Sequence, residues 1–456
     1  MLLTTIWLFV ALVTWDIPVA TQNPSQPIRA LIKPQYCQPV SVARRQLPGL
    51  PPTRIVVMDD RREALAEADL GWEKTGVPLV GFDGQRFLPA ACSDDIGIFY
   101  VIPMLAKALR IPLGDAVDLF LAGIVLVSVL LGALGLMLVC RAPFGRIIAM
   151  SAVVLLSLLA LKIGDVYTIQ SSVVLAFAPW VLFFGRKARS HWIIFPFVFF
   201  ASAALASANV MRSHAGTPVL IFMAWIFVFQ LQGKRQFKLL LALVAILGLL
   251  LPVWYSRMLL GARDAYLQKH GYTSVAGLRQ HGVWNVIYLG LGYISNNVVP
   301  GYRDEYAAAK VREVAPDTIY GSPEYEQYLK HEVIHIVVQH PLLVMETLAA
   351  KLGVIVGLVL VCANVGIVAA FRYPKRWPIE AGFWNAIAFQ CVIGIVAIPA
   401  KSYLLGLIAF AVLYGVISID VAIRHGVAKD LLRLIRSHWA LPEVADPTGD
   451  GAVLNH

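Results

Sequence analysis

Two adjacent carboxylates, Asp94 and Asp95, follow Cys92-Ser93 and lead straight into the apolar, aromatic run Ile96-Gly97-Ile98-Phe99-Tyr100. Beside lipid or in a cleft a charged carboxylate loses solvation, so the pair needs a cation, a metal or a proton there. A carboxylate within hydrogen-bonding reach of a hydroxyl takes its proton as that hydroxyl attacks, which makes either acid a candidate general base. The alternative is a pair of solvated loop acids. The residues by themselves leave both open, and do not say which acid would act.

A second group, Arg212 and His214, lies in the turn Ala208-Asn209-Val210-Met211-Arg212-Ser213-His214-Ala215-Gly216 between two apolar runs. A cation with an imidazole in so short a connection suits a phosphate held at a membrane surface; the competing explanation is snorkelling towards lipid headgroups. Arg257 and Lys401 are further cations suited to a phosphate. Tyr100, Trp284, Tyr288 and Tyr293, with Arg303, could bind a sugar, aromatic faces suiting sugar rings, although tyrosines also populate membrane interfaces generally. Asp165, Asp304 and Glu305 complete the polar set, and Asp16 stands near the end of the first apolar run. The sequence holds no phosphate-cradling P-loop, no His-Glu-x-x-His zinc motif and no nucleophile elbow, so nucleotide hydrolysis and zinc proteolysis lack support.

These groups must be positioned by a membrane bundle. The chain is 456 residues long, 58% hydrophobic and only 14% charged. A span takes roughly 20 apolar residues, and about ten segments qualify. Helices are expected rather than a barrel, because a barrel shows short alternating strands instead. The predicted fold is an all-α polytopic membrane protein of about ten transmembrane helices, with a small mixed α/β extracytoplasmic region and interfacial helices. Residues 1–20 form the first span, 21–118 the first outer loop with an interfacial helix, and 119–255 spans two to seven. A second large outer loop follows at 256–345, then spans eight to ten at 346–421 and a cytoplasmic basic helix and tail at 422–456.

Within the first outer loop, Arg54 to Met58 reads as a strand and Arg61 to Leu70 as a helix, with turns at Gly71, Gly76-Val77-Pro78 and Asp83-Gly84. Asp95 to Arg110 reads as a surface helix bent at Pro103. The net charge of +10 points to topology rather than to nucleic acid. Four connections carry the basic residues: Arg141 and Arg146; Arg186, Lys187 and Arg189; Lys234, Arg235 and Lys238; Arg372, Lys375 and Arg376. All fall on one side if every span crosses. The positive-inside rule makes that side, and the C-terminus, cytoplasmic, and sends both long loops outward. Cys37 and Cys92 share the first outer loop, where a disulfide between them is one reading and two free thiols the other.

The chain resembles the GT-C superfamily of integral-membrane glycosyltransferases in three features: a first span followed by a long outer loop, the segment Ser93 to Tyr100 entering a surface helix, and the segment from Tyr325 through His340-Pro341 to Lys351. The resemblance implies a multi-pass protein of a bacterial inner membrane that uses a polyprenyl-phosphate-linked sugar donor. It further implies a glycan or lipid acceptor, an active site on the outer face, and an acid of the first outer loop, here Asp94 or Asp95, as base. In part of that superfamily a divalent metal, Mg or Mn, assists. The family often has an Asp-Glu or spaced acidic pair, whereas this chain has Asp-Asp. Two other classes stay in view. An O-antigen ligase or polymerase shares the multi-span layout, and His281-Gly282 followed by Gly290 and Gly292 faintly matches the ligase pattern without its polar residue after the histidine. A transporter or non-catalytic membrane protein would place polar or broken helices at mid-membrane, often in repeated halves; no internal repeat is visible.

Overall fold

The computed structural model describes residues 40–41, 59–90, 95–186, 191–232, 234–272 and 282–426. Its helices are α1 (Asp59–Thr75), α2 (Ile96–Leu109), α3 (Leu113–Val139), α4 (Pro143–Ile163), α5 (Thr168–Arg186), α6 (His191–Met211), α7 (Thr217–Trp225), α8 (Arg235–Lys269), α9 (Val283–Leu291), α10 (Asp304–Val314), α11 (Pro323–Gln339), α12 (Pro341–Ala363), α13 (Val365–Arg372), α14 (Trp377–Val396) and α15 (Leu405–Arg424). Helix α7 runs into a π-helical turn, Ile226–Gln230. Between α1 and α2 a hairpin pairs β1 (Val80–Phe82) antiparallel to β2 (Phe87–Pro89).

Eight helices among the described residues are long and apolar enough to cross a membrane, and the chain is an all-α polytopic membrane protein. The predicted first span at residues 1–20, the predicted strand Arg54 to Met58, and the basic helix and tail beyond Gly426 lie outside the described residues. The predicted span at Pro218–Leu231 is a helix of 14 residues, Thr217–Gln230, which at 1.5 Å per residue covers roughly 21 Å, less than a hydrocarbon layer of about 30 Å.

Helix α15 is the axis of the bundle: 94% of its apolar window is buried inside the protein, against 11% for α8. Leu239, Leu243, Leu250 and Trp254 of α8 are all at least half exposed, the face a peripheral helix turns to lipid. Helix α8 also continues past the span predicted to end at Tyr255. Leu259, Arg263 and Leu267, four residues apart, bury one stripe of that extension, and Leu267 packs on Val80 of the hairpin. Arg257, Arg263 and Asp264 read as loop from charge alone, but tertiary packing makes them helix. Gly71, expected in a turn, instead lies inside α1. A Cβ there would stand 2.0 Å from the Val80 carbonyl oxygen, so this glycine permits close approach of helix and hairpin rather than ending the helix.

A second unit, built on residues 282–339, has its own core, in which Tyr288, Tyr306, Tyr320 and Tyr325 are buried with Leu289, Leu329 and Ile336. The buried carboxylate of Glu326 on α11 accepts from the backbone N–H groups of Trp284 (2.8 Å) and Asn285 (3.3 Å), capping α9. Residue 40, which precedes α1, joins this unit: the Val40 N–H donates to the Thr318 carbonyl (3.0 Å), and its own carbonyl accepts from Arg312.

At the opposite end of the bundle the basic connections gather around Asp420 and its neighbours. The Asp420 carboxylate, 1% exposed, accepts from the N–H groups of Arg141 (3.1 Å) and Ala142 (3.0 Å) and from Arg424 Nε (3.0 Å). Arg186 donates to the Val139 carbonyl there (3.1 Å), and Lys375 reaches Ser418 of α15 (2.6 Å). Asp420→Ala strands two amides at the start of α4 and an arginine, and is expected to destabilise the bundle by about 3 kcal/mol. Thermal unfolding of the detergent-solubilised protein would read this, and an unchanged midpoint would show that Asp420 is not what caps α4.

Candidate active site

Four connections meet at the end of the bundle away from Asp420: the start of α2, the α4–α5 link, the α6–α7 turn and the α14–α15 link. Asp95 stands at the N-terminus of α2, yet its side chain does not cap its own helix. It crosses to the α6–α7 turn, where it accepts from the Ser213 N–H (2.8 Å), from the Ser213 hydroxyl and from Arg212 Nη1 (3.4 Å). The local sequence makes this approach feasible. A Cβ on Gly97 would sit 2.8 Å from the Met211 backbone, so only glycine lets α2 lie against the end of α6 at this point.

The turn itself is tightly built. Asn209 Oδ1 accepts from the Gly216 N–H (2.7 Å) while its Nδ2 donates to Thr217 Oγ1 (3.2 Å), and His214 takes a left-handed backbone with φ of 66°. That conformation turns His214 outward: its side chain is exposed, with its ring edge-on to Phe389 at 5.9 Å.

Arg212 has its second arm on the α4–α5 link. Its Nη2 donates to the Tyr167 hydroxyl (2.7 Å), and the guanidinium lies 4.2 Å from the Tyr167 ring centroid. Across the same ring, Arg61 of α1 pairs with Asp165 at 3.2 Å. Tyr403 packs on Tyr167 with centroids 4.6 Å apart, and the Tyr302 hydroxyl donates to that of Tyr403 (3.3 Å). Burial pushes the hydroxyls of Tyr167, Tyr302 and Tyr403 well above the ordinary phenol range. At neutral pH they are therefore neutral hydrogen-bond donors, unsuited to act as bases. The α14–α15 link that carries Lys401 and Tyr403 is fixed from below by Lys351, whose buried ammonium donates to the carbonyls of Ile395 (2.8 Å) and Ala397 (2.6 Å).

Of the residues singled out in the sequence, the structure thus brings Asp95 and Arg212 together, with Asp165 beside them and Lys401 two residues from Tyr403. Asp94, Cys37, Cys92 and His281 lie outside the described residues. Arg257 is exposed on α8. Tyr100 stacks on Trp72 (5.6 Å) and meets the hydroxyl of Tyr255. Tyr288 and Tyr293 are buried, Tyr288 in the core of the second unit, so its ring is an internal packing element rather than an open platform. Trp284 lies beneath the Lys330 ammonium at 5.8 Å, and Arg303 precedes α10.

Sequence reading missed Arg61, Tyr167, Ser213 and Tyr403 as site members. One signal was available for two of them: Asp165-Val166-Tyr167 and Lys401-Ser402-Tyr403 are short polar links on the same side as the Arg212 turn. Among the described residues no three His, Cys, Asp or Glu side chains gather to hold a metal. Asp95 and Asp165 each face an arginine, with which a cation would compete, so these residues do not fit a metal centre.

Comparison with known proteins adds little. No protein-family profile and no curated protein sequence matches the chain. Among solved structures, the apo crystal structure of ArnT from Cupriavidus metallidurans is similar over 92% of this chain and 75% of its own, at 15% identity and a TM-score of 0.33. A TM-score at that level does not establish a shared fold.

Proposed function

We propose that the protein is a membrane glycosyltransferase that moves a sugar from a polyprenyl-phosphate donor to an envelope glycan or lipid acceptor on the extracytoplasmic face. The observation that carries this is the Asp95–Arg212–Tyr167 cluster, with Arg61 and Asp165. It directly follows Asp94 in the chain and sits at the end of the bundle opposite the basic connections. The positive-inside rule makes that end the outer one.

The two acids then divide the work. Asp95 is committed to Arg212 and Ser213 through both oxygens, so it positions the turn, and Asp94 is the base. The acceptor hydroxyl attacks the anomeric carbon and passes its proton to Asp94. The bond from that carbon to the phosphate oxygen breaks, and its electron pair leaves on the polyprenyl phosphate. Arg212, with Arg61 and Lys401, stabilises the negative charge that grows on this oxygen, the usual role of preorganised cations in group transfer. Tyr167 and Tyr403 supply neutral donors to the phosphate or the sugar. Burial of the polyprenyl chain against the bundle contributes about 0.8 kcal/mol per methylene before ordering costs.

The test is transfer from a radiolabelled polyprenyl-monophosphate sugar by the purified protein in nanodiscs. Release of polyprenyl phosphate with labelled acceptor is expected. Consumption of diphosphate-linked donors alone would instead indicate an O-antigen ligase or polymerase, and solute counterflow without transfer would indicate a transporter.

A further inference from the structure

Four arginines at the basic end of the bundle converge on one short link, residues 139–142 between α3 and α4. Arg186, at the end of α5, donates from Nη1 to the Val139 carbonyl (3.1 Å), and Arg146 of α4 donates from Nε to the Cys140 carbonyl (3.0 Å). Arg424, at the end of α15, is tied through Nε to one oxygen of Asp420, whose other oxygen takes the amides of Arg141 and Ala142. Arg141 lies in the link itself. Its side chain is exposed and has no hydrogen-bond or ion-pair partner among the described residues.

Charge is out of balance here. Among the described residues the four guanidiniums face one carboxylate, Asp420, and Arg141 and Arg424 stand close enough to Arg186 for their charges to repel its own. Like charges in surface loops ordinarily spread into water. Hydrogen bonds to fixed carbonyls hold Arg146 and Arg186 in place instead, so the repulsion is kept rather than relaxed. The donors are not used up by those bonds. A guanidinium carries five N–H groups, and Arg146, Arg186 and Arg424 each engage the protein through the single nitrogen named above. Arg141, Arg146 and Arg424 are exposed, so a ligand reaches them from outside. The rim of the link is apolar: Leu138 at the end of α3 and Phe144 and Ile147 at the start of α4 are 45 to 57% exposed, on helices long and apolar enough to cross a membrane.

We propose that this link binds the headgroup of an anionic phospholipid. Phosphate oxygens accept from Arg141, Arg146 and Arg424, Arg186 adds its charge behind them, and the acyl chains run along Leu138, Phe144 and Ile147. Guanidinium forks match phosphate oxygens in shape as well as charge, and basic pockets between membrane helices suit phosphate-rich headgroups. The excess of cations favours a headgroup with two phosphates, as in cardiolipin, over one with a single phosphate. Free phosphate would satisfy the arginines but leave the apolar rim uncovered. Bound lipid offsets the repulsion among the four arginines and so holds the ends of α3, α4, α5 and α15 together. The site is independent of the reaction proposed at the other end of the bundle.

The test is native mass spectrometry and thermal unfolding of the full-length, delipidated protein in detergent, with cardiolipin, phosphatidylglycerol, phosphatidylethanolamine and inorganic phosphate. Cardiolipin is expected to be retained and to raise the unfolding midpoint most, and phosphatidylglycerol less. Phosphatidylethanolamine, whose headgroup has no net charge, should bind at least about tenfold more weakly than cardiolipin. Inorganic phosphate should neither stabilise the protein nor displace the lipid. Arg141→Ala, which breaks no contact among the described residues, should weaken cardiolipin about fivefold, and Arg141→Ala with Arg146→Ala about thirtyfold. Lys234→Ala with Arg235→Ala removes the same charge from the start of α8, at the same end of the bundle, and should leave binding as it was. Equal retention of cardiolipin and phosphatidylethanolamine by the unaltered protein, which needs no variant to fold, overturns the proposal. So does displacement of the lipid by inorganic phosphate, or an equal loss in the two double variants, which would reduce the arginines to a diffuse surface charge.

Discussion

Asp95→Asn is expected to lower the turnover of sugar transfer by about a hundredfold, with a much smaller change in the donor's KM. The carboxylate organises three partners on the α6–α7 turn: the Ser213 amide at 2.8 Å, the Ser213 hydroxyl, and Arg212 at 3.4 Å. Asparagine keeps the shape of the side chain and one acceptor oxygen, but it removes the negative charge that faces the guanidinium. Both partners are nearly enclosed, with side chains 4% and 12% exposed, so solvent screens the loss poorly and Arg212 must move to find another partner. A displacement of about 1 Å in a group that stabilises developing charge is enough for a loss of that size. Steady-state rates over a range of donor concentrations would separate the two parameters. The double variant Asp95→Asn with Arg212→Gln should lose little more than either single variant, because the two residues act as one unit. Additive losses would mean that Asp95 touches the reacting atoms itself. Asp94→Asn should abolish transfer outright, and a carboxylate at 94 that proves dispensable would end its assignment as base.

How much of this arrangement was legible beforehand follows from which forces act along the chain and which act across it. Hydropathy is a local property, and the eight long membrane helices were accordingly readable. The ends of elements were less so. The extension of α8 to Lys269 depends on Leu259, Arg263 and Leu267 finding the hairpin, and nothing within residues 256–269 announces that partner. Gly71 looks like a turn and is instead a contact surface. Asp95 and Arg212 stand out because charge is conspicuous in apolar sequence, while their contact follows from topology that brings two turns at one end of the bundle together. Tyr167 and Tyr403 were passed over because a tyrosine near a membrane surface is unremarkable until its neighbours are known. The same ambiguity cut the other way for Tyr288, which was expected to bind substrate and is packed in the core of the second unit.

The two ends of the bundle use the same device for different purposes. At the basic end Asp420 spends its carboxylate on two backbone amides and Arg424, which fixes a helix start. At the other end Asp95 takes one backbone amide, one hydroxyl and one guanidinium, which fixes a turn and aims a cation. The difference lies in the partner of that cation. Arg424 is held on its own helix four residues away, whereas Arg212 bridges two connections, to Asp95 on one side and to Tyr167 on the other.

That bridging makes Arg212→Lys the sharper of the substitutions at the site. Lysine keeps the charge but offers a single ammonium at the end of a flexible stem, and it lacks the planar fork whose two arms reach Asp95 at 3.4 Å and the Tyr167 hydroxyl at 2.7 Å. If the residue served only as a positive charge near a phosphate, the change would cost a few-fold. Because the geometry assigns it a fixed direction between the α2 start and the α4–α5 link, kcat/KM for the lipid-linked donor is expected to fall about a hundredfold. Arg212→Ala should be no more than about tenfold worse than the lysine variant, since both lose the bridge and differ only in residual charge. Guanidinium ion added to the alanine variant should recover part of the rate, whereas methylammonium should not, because only the former carries two parallel donor edges. Equal rescue by both ions, or near-normal transfer by the lysine variant, would reduce Arg212 to a diffuse electrostatic contribution. It would then leave the phosphate to Arg61 and Lys401. The thermal midpoint of each variant, measured alongside, distinguishes this outcome from simple loss of fold, since an Asp95 that has lost its guanidinium partner in a nearly enclosed site destabilises the turn whether or not chemistry occurs there.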